Sequence, residues 1–246
     1  THPNDGDGTD KAYNQSQTVM SYNLHPSEGG STSLKGGIYP LTPMLFDIQA
    51  VWDLYGANIK TRLEDNTYFG PAEKGTTRVY ATNDHNELIA TIWDAGGNDT
   101  LSAYGQSEDA TIDLNPGTYS TIGIYANGVA IAPLWTDPTT KLQYGWIENA
   151  IGGSGIDLLR GNDLANVLNG GPQVDTMIGQ KGDDSYIVDE TSDAVIEGFD
   201  EGIDQVFSTA TYTLSANVEN LALMGTNPID GAGNDLDNII IGNPAA

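Results

Sequence analysis

The sequence predicts a mainly β chain in which a loop-rich amino-terminal part with one helix leads into a parallel β-roll or β-sandwich. Three observations carry that expectation. A nine-residue register runs from Gly152 to Ile187, one stretch near residue 50 has helical periodicity, and short apolar runs separated by turn residues follow from residue 57 onward.

Cut at Gly152, the register reads GGSGIDLLR, GNDLANVLN, GGPQVDTMI and GQKGDDSYI. Glycine opens every unit, at Gly152, Gly161, Gly170 and Gly179. Asp or Asn holds the sixth place, at Asp157, Asn166, Asp175 and Asp184. A large side chain holds the eighth, at Leu159, Leu168, Met177 and Tyr186. The pattern is that of a calcium-binding parallel β-helix repeat. Calcium takes roughly six to eight oxygens, more than one carboxylate per turn supplies. Glycine-rich backbone can aim carbonyl oxygens inward to complete the set. The candidate calcium ligands of the register are Gly153, Gly155 and Asp157; Asn162, Leu164 and Asn166; Gly170, Gly171, Gln173 and Asp175; and Gln180, Gly182 and Asp184. Leu164 and Gln173 stand where a fourth-place glycine belongs, so there the backbone must turn without one. A Gly/Asp-rich disordered linker is the alternative reading of such composition, and four units in phase argue against it. The GNxxxN variant of the second unit returns as Gly233, Asn234, Leu236, Asn238 and Ile240.

Residues 1–37 are dominated by Gly, Asn, Asp and Ser and read as loops. Thr42 then reads as a helix cap with Pro43 at the first position. Met44, Ile48, Val51 and Tyr55 share one face, and Gly56 ends the helix. Composition changes at Ala57, which divides the chain into residues 1–56 and 57–246. The runs RVYAT, LIATIW, TIDL, IGIYANGVAIA, QVFSTATYTL and VENLALMG read as strands. WDAGGNDTL, residues 93–101, is a single degenerate repeat. Gly97, Asp99 and Leu101 take its fourth, sixth and eighth places, and Asp94 adds a carboxylate. Glu148 lies where it could close the first calcium layer.

The 34 acidic residues against 9 basic ones give a formal net charge of −25. That balance implies cations as partners and disfavours nucleic acid and anionic membrane surfaces. There is no cysteine, hence no disulfide and no thiolate zinc site. No stretch is long and apolar enough for a membrane-spanning helix. Calcium at extracellular concentrations loads sites of this type, so an extracellular, secreted protein is expected.

His2-Pro3, VMSY at 19–22, the segment GGIYPLTPMLFDIQAVWDLYGAN, WDAGGNDTL and IENAIGGSGIDLL together resemble the serralysin family of secreted bacterial metzincin zinc endopeptidases, which carry a carboxy-terminal calcium β-roll of RTX repeats. The resemblance implies that residues 1–56 are the end of a metzincin catalytic domain. In it His2 is a zinc ligand, Tyr22 a mobile further ligand that assists catalysis, and Met20 the floor of the Met-turn. It also implies calcium sites formed by Arg62, Glu64, Asp94, Gly96 and Asp99, and by Gly97, Asp99, Trp146 and Glu148. The expected cofactors are Zn2+ and several Ca2+. The expected partners are protein or peptide substrates, with a proteinaceous protease inhibitor as a further candidate. Type I secretion is the expected route.

No HExxH occurs in the sequence, and the remaining histidines, His25 and His85, lie in no such motif. The first two zinc ligands and the general base are therefore expected in a segment upstream of Thr1, and residues 1–246 alone are expected to be inactive. The alternative is a non-enzymatic calcium-binding module. A β-roll attached to a secreted lipase or polysaccharide epimerase is disfavoured by the Met-turn.

Overall fold

The computed structural model describes residues 42–70, 77–81, 89–123 and 125–245. His2, Met20, Tyr22, His25 and His85 lie outside these residues, so the zinc assignment and the Met-turn are sequence expectations only.

The helix spans Leu45–Tyr55 and begins later than its sequence suggests. Its amino terminus is closed by Asp47, whose Oδ2 accepts the Met44 amide at 2.9 Å. Thr42 is not the cap. Its hydroxyl accepts the Thr91 amide at 2.6 Å and donates to the Thr91 carbonyl at 3.0 Å, fastening the approach to the helix onto the strand Ala90–Ile92. The predicted apolar face is correspondingly rotated. Met44 and Leu45 are buried, whereas Val51 and Tyr55 are exposed. Trp52 instead meets Trp93 edge-on, with ring centroids 4.6 Å apart. Gly56 ends the helix as expected, its amide donating to the Trp52 carbonyl.

Two large sheets form most of the rest, with two small pairs beside them, Trp135–Thr136 with Gln143–Tyr144 and Tyr212–Thr213 with Gly231–Ala232. The long sheet is wholly parallel and runs Thr77–Ala81, Asn66–Phe69, Thr100–Ser102, Asn149–Ile151, Val167–Asn169, Ser185–Val188, Gln205–Ser208, Asn220–Leu223, Ile239–Ile241. The short sheet runs Ala194–Ile196, Thr176–Ile178, Leu158–Arg160, Thr111–Asp113, Tyr119–Ile122, Tyr125–Ile131, Ala90–Ile92. From Asn149 to Ser208 consecutive strands alternate between the two sheets. One nine-residue unit thus makes half a turn, and two units bring the chain back onto itself. Val167 pairs with Asn149, Thr176 with Leu158, Ser185 with Val167 and Ala194 with Thr176. This is a β-roll.

The eighth-place residues Leu159, Leu168, Met177 and Tyr186 are fully buried between the sheets, and Ala150, Val195, Val206 and Leu221 continue the column. Because strand side chains alternate, the seventh and ninth places flank each core residue on the outer faces. The register also runs on past the last glycine-opened unit. Asp193 and Val195 take the sixth and eighth places of VDETSDAVI, with the strand Ala194–Ile196 stacked on Thr176–Ile178.

Candidate metal centre

The sixth-place residues form a ladder along each sheet, because each sits immediately before its strand. On the short-sheet side the Ala110 amide donates to Asp157 Oδ1 at 2.6 Å, the Asp157 amide to Asp175 Oδ1 at 2.7 Å, and the Asp175 amide to Asp193 Oδ1 at 3.0 Å. On the long-sheet side the Asn66 amide donates to Asp99 Oδ1 and the Asp99 amide to Glu148 Oε2, both at 2.8 Å. Further along, the Asn166 amide donates to Asp184 Oδ1 at 2.7 Å, the Asp184 amide to Asp204 Oδ1 at 2.9 Å, and the Asp204 amide to Glu219 Oε2 at 2.7 Å. One carboxylate oxygen per rung thus satisfies a backbone donor that the strand ladder does not reach.

The second oxygen is often left over. Asp99 Oδ2, Asp175 Oδ2 and Asp184 Oδ2 are buried with no hydrogen-bond donor. Burial, with facing carboxylates adding to it, pushes Asp175 and Asp184 up to about 7, Asp204 up to about 6 and Asp99 up to about 8. Burial also raises Asp157, Asp94 and Glu148. Buried, unpaired acceptor oxygens in an all-oxygen setting fit a hard cation such as calcium.

Around Asp99 the Arg62–Glu64 and Asp94–Gly97 loops come together. A Cβ on Gly97 (φ +141°) would lie 2.5 Å from the Glu64 carbonyl oxygen and 3.0 Å from Asp99 Oδ1, so that glycine admits both oxygens to one place. Asp94 accepts the Tyr68 hydroxyl at 2.5 Å and the Gly96 amide at 3.0 Å. Arg62 has φ +51°, and its guanidinium donates to the Trp93 carbonyl at 2.8 Å, which ties the Arg62–Glu64 loop to the Asp94 loop. Trp146 lies in the segment entering Glu148.

The register loops divide into two kinds. Asp157 Oδ2 accepts the Gly153 amide at 2.5 Å, and a Cβ on Gly171 would meet the Gly153 carbonyl at 2.5 Å, so these two loops stack closely. Gly155 sits against Asp109, and Gly182 against the Leu164 carbonyl. Gln173 and Gln180 occupy positive φ without being glycine, at +81° and +77°. Their amides reach back one turn, Gln173 to the Ser154 carbonyl at 2.5 Å and Gln180 to the Gly161 carbonyl. The GNxxxN unit is engaged throughout. Asn162 Nδ2 donates to the carbonyls of Leu114 and Ile147, Asn166 Nδ2 to that of Glu148, and Asn166 Oδ1 accepts the Asn162 amide at 2.7 Å. Asn234 and Asn238 repeat the arrangement, with Asn234 Nδ2 on the carbonyls of Ser215 and Val218 and Asn238 Oδ1 accepting the Asn234 amide at 2.8 Å.

Sequence reasoning missed Asp193, Asp204, Glu219 and Glu197. Counting nine onward from Ile187 finds Asp193. The two inserted residues before Asp204, a spacing of 20 to Asp184 instead of 18, hide Asp204 and Glu219, while Glu197 stands in register at a place that glycine holds elsewhere.

Residues 57–237 match the family described as Peptidase M10 serralysin C terminal. The chain belongs to this family. It is 36% identical over 178 residues to the metallopeptidase AprA of Pseudomonas marginalis, covering 68% of this chain and 35% of that protein. It is 40% identical over 151 residues to a serralysin of Proteus mirabilis, covering 61% of this chain and 28% of that protein. Serralysin C of Dickeya chrysanthemi is 41% identical over 142 residues, covering 58% and 27% respectively. The chain thus matches about a third of the length of these serralysin-type relatives. No helix among its described residues is long and apolar enough to cross a membrane.

Proposed function

We propose that residues 57–246 are the calcium-loaded β-roll of a secreted zinc endopeptidase, and that residues 1–56 belong to its catalytic domain. The observation that carries the calcium part is the set of buried, donor-less oxygens on Asp99, Asp175 and Asp184, which recur at equivalent rungs. Calcium would be held by these carboxylates with carbonyls of the Arg62–Glu64, Gly96–Gly97, Trp146–Glu148, Gly153–Gly155, Gly170–Gln173 and Gln180–Gly182 segments, and would supply the counter-charge that lets the two sheets close. Its roles are folding after secretion by a type I route and stability outside the cell.

His2 and Tyr22 as zinc ligands, Met20 as the floor beneath the ion, protein or peptide substrates and a proteinaceous inhibitor are proposed from the resemblance and the family. Zinc would supply Lewis-acid chemistry for peptide hydrolysis when bound together with an upstream HExxH segment. A non-enzymatic calcium module is the second reading, favoured by a family match that spans residues 57–237 and so includes neither His2 nor Tyr22. The two separate on casein. A longer chain that joins residues 1–246 to an upstream HExxH segment should hydrolyse it in a zinc-dependent way, with His2→Ala abolishing turnover. Calcium-dependent folding with no hydrolysis by that longer chain would leave the module reading.

A further inference from the structure

One acidic cluster joins two ladder aspartates to a glutamate that lies off the sixth-place pattern. Asp184, Glu197 and Asp204 are buried, and each offers a carboxylate oxygen such that the three atoms lie within 4.8 Å of one another. They converge from different parts of a turn. Asp184 and Asp204 precede the neighbouring long-sheet strands Ser185–Val188 and Gln205–Ser208. Glu197 follows the short-sheet strand Ala194–Ile196 and stands one turn after Gly179, at a place that glycine holds in the repeats. The Tyr186 hydroxyl donates to Glu197 Oε1, and Asn217 Nδ2 donates to the Glu197 carbonyl at 2.9 Å, so the side chain is held inward.

Two oxygens in the cluster have no donor, Asp184 Oδ2 and Glu197 Oε2, on residues only 1% and 7% exposed. A Cβ at Gly179 would run into the Tyr186 hydroxyl, Asp184 Oδ2 and Glu197 Oε1, so glycine there keeps the space between them open. The ion pairs formed among the described residues, Arg160 with Asp113 and Lys181 with Asp163, do not involve the cluster. Three buried carboxylates with neither nitrogen nor sulfur donors select a hard, oxygen-seeking cation.

We propose that Asp184, Glu197 and Asp204 form a side-chain calcium site that closes the glycine-opened repeats, with Tyr186 as a positioning residue for Glu197. The site rests on the reading of the roll as calcium-loaded and adds an ion to it. Its three charges, against one or two per loop elsewhere, make it fill at lower calcium than the loop sites. Because Glu197 belongs to the segment that joins the repeats to the irregular turns after Asp204, filling it fixes that junction.

The test is a calorimetric calcium titration of the 246-residue chain beside Glu197→Gln, Asp204→Asn and Asp175→Asn, each checked for the calcium-bound far-ultraviolet spectrum. The expected result is that E197Q and D204N lose the tightest site, or weaken it about tenfold or more, and keep the others. D175N should keep the tightest site and lose others. If E197Q and D204N both titrate like the parent chain, the proposal is overturned while the calcium roll stands. If the parent chain takes up no calcium, the proposal and the roll reading fall together. Should one of the two cluster variants fail to fold, the other decides.

Discussion

Asp99, Asp175 and Asp184 each give one carboxylate oxygen to a backbone amide and leave the other without a donor, which suits a cation. Asp175 Oδ1 accepts the Asp157 amide at 2.7 Å while Oδ2 has no donor. Asn keeps the acceptor and loses the charge, whereas Ala loses both. At about pH 5, where the buried carboxylates are protonated, Asp175→Asn should therefore leave the metal-free chain nearly as stable as the parent, and at neutral pH it should weaken more than one calcium ion, since the loop contributes to the layers on both sides. Asp175→Ala should in addition destabilise the metal-free chain by about 1–3 kcal/mol, because the buried Asp157 amide is left unpaired. Calorimetric titration and urea unfolding of both variants check this, and identical behaviour of the two would refute the division of labour. The same carboxylates set a pH dependence. In the folded, metal-free chain burial raises Asp204 to about 6, Asp175 and Asp184 to about 7, and Asp99 and Glu197 to about 8. Unfolded carboxylates release their protons near pH 4. Between that value and the folded ones the native state holds more protons, so stability falls as pH rises through the window. The melting temperature of metal-stripped protein should be higher at about pH 5 than at about pH 8. A rise over that interval would count against buried, unpaired carboxylates.

Among the elements, the turns are of two chemical kinds. The turns of Asp99, Asp175 and Asp184 present oxygens without a donor, whereas the GNxxxN turns close on themselves through asparagine amides. Asn234 Nδ2 holds the Ser215 carbonyl at 2.6 Å and the Val218 carbonyl at 2.7 Å, as Asn162 holds those of Leu114 and Ile147. An amide donates where an ion would attract, so these turns are expected to depend less on metal than the aspartate turns. Asn234→Ala should cost about 1–3 kcal/mol by an equal amount in calcium at neutral pH and in chelator at about pH 5, where the protonated carboxylates no longer repel, measured by thermal or urea unfolding. A loss confined to the calcium form would reverse that assignment. Within the core, Leu168→Ala should cost about 2–5 kcal/mol, because the closely packed column cannot collapse around the gap. The column was legible in the sequence, since glycine, Asp/Asn and a large apolar residue recur at fixed places. The helix was legible in kind and end point but not in start or face. Thr42 was drawn into a tertiary bond with Thr91, a partner far along the chain that local capping rules do not contain. Glu197 was not legible because nothing local marks a lone glutamate, at a glycine place, as turned inward.

Across the whole molecule, a formal charge of −25 meets two parallel sheets whose turns stack carboxylates one above another. Each turn is supported only by its neighbours, so the stability of such a roll depends on what lies between adjacent turns. With the carboxylates ionised and no cation, like charges line both ladders and oppose closure. With calcium the repulsion becomes attraction, and the effect propagates from turn to turn. The amino-terminal part, from the Thr42–Thr91 contact to the Ile131 strand, includes non-repeat packing around Tyr68, Ile92 and Leu101. It should keep more structure than the repeats when metal is removed. The most direct test is the far-ultraviolet circular dichroism of residues 1–246 at neutral pH, in calcium, in excess chelator and after calcium is restored. Loss of much of the β signal in chelator and its recovery with calcium is the predicted result. An unchanged spectrum in chelator would contradict the calcium-dependent roll.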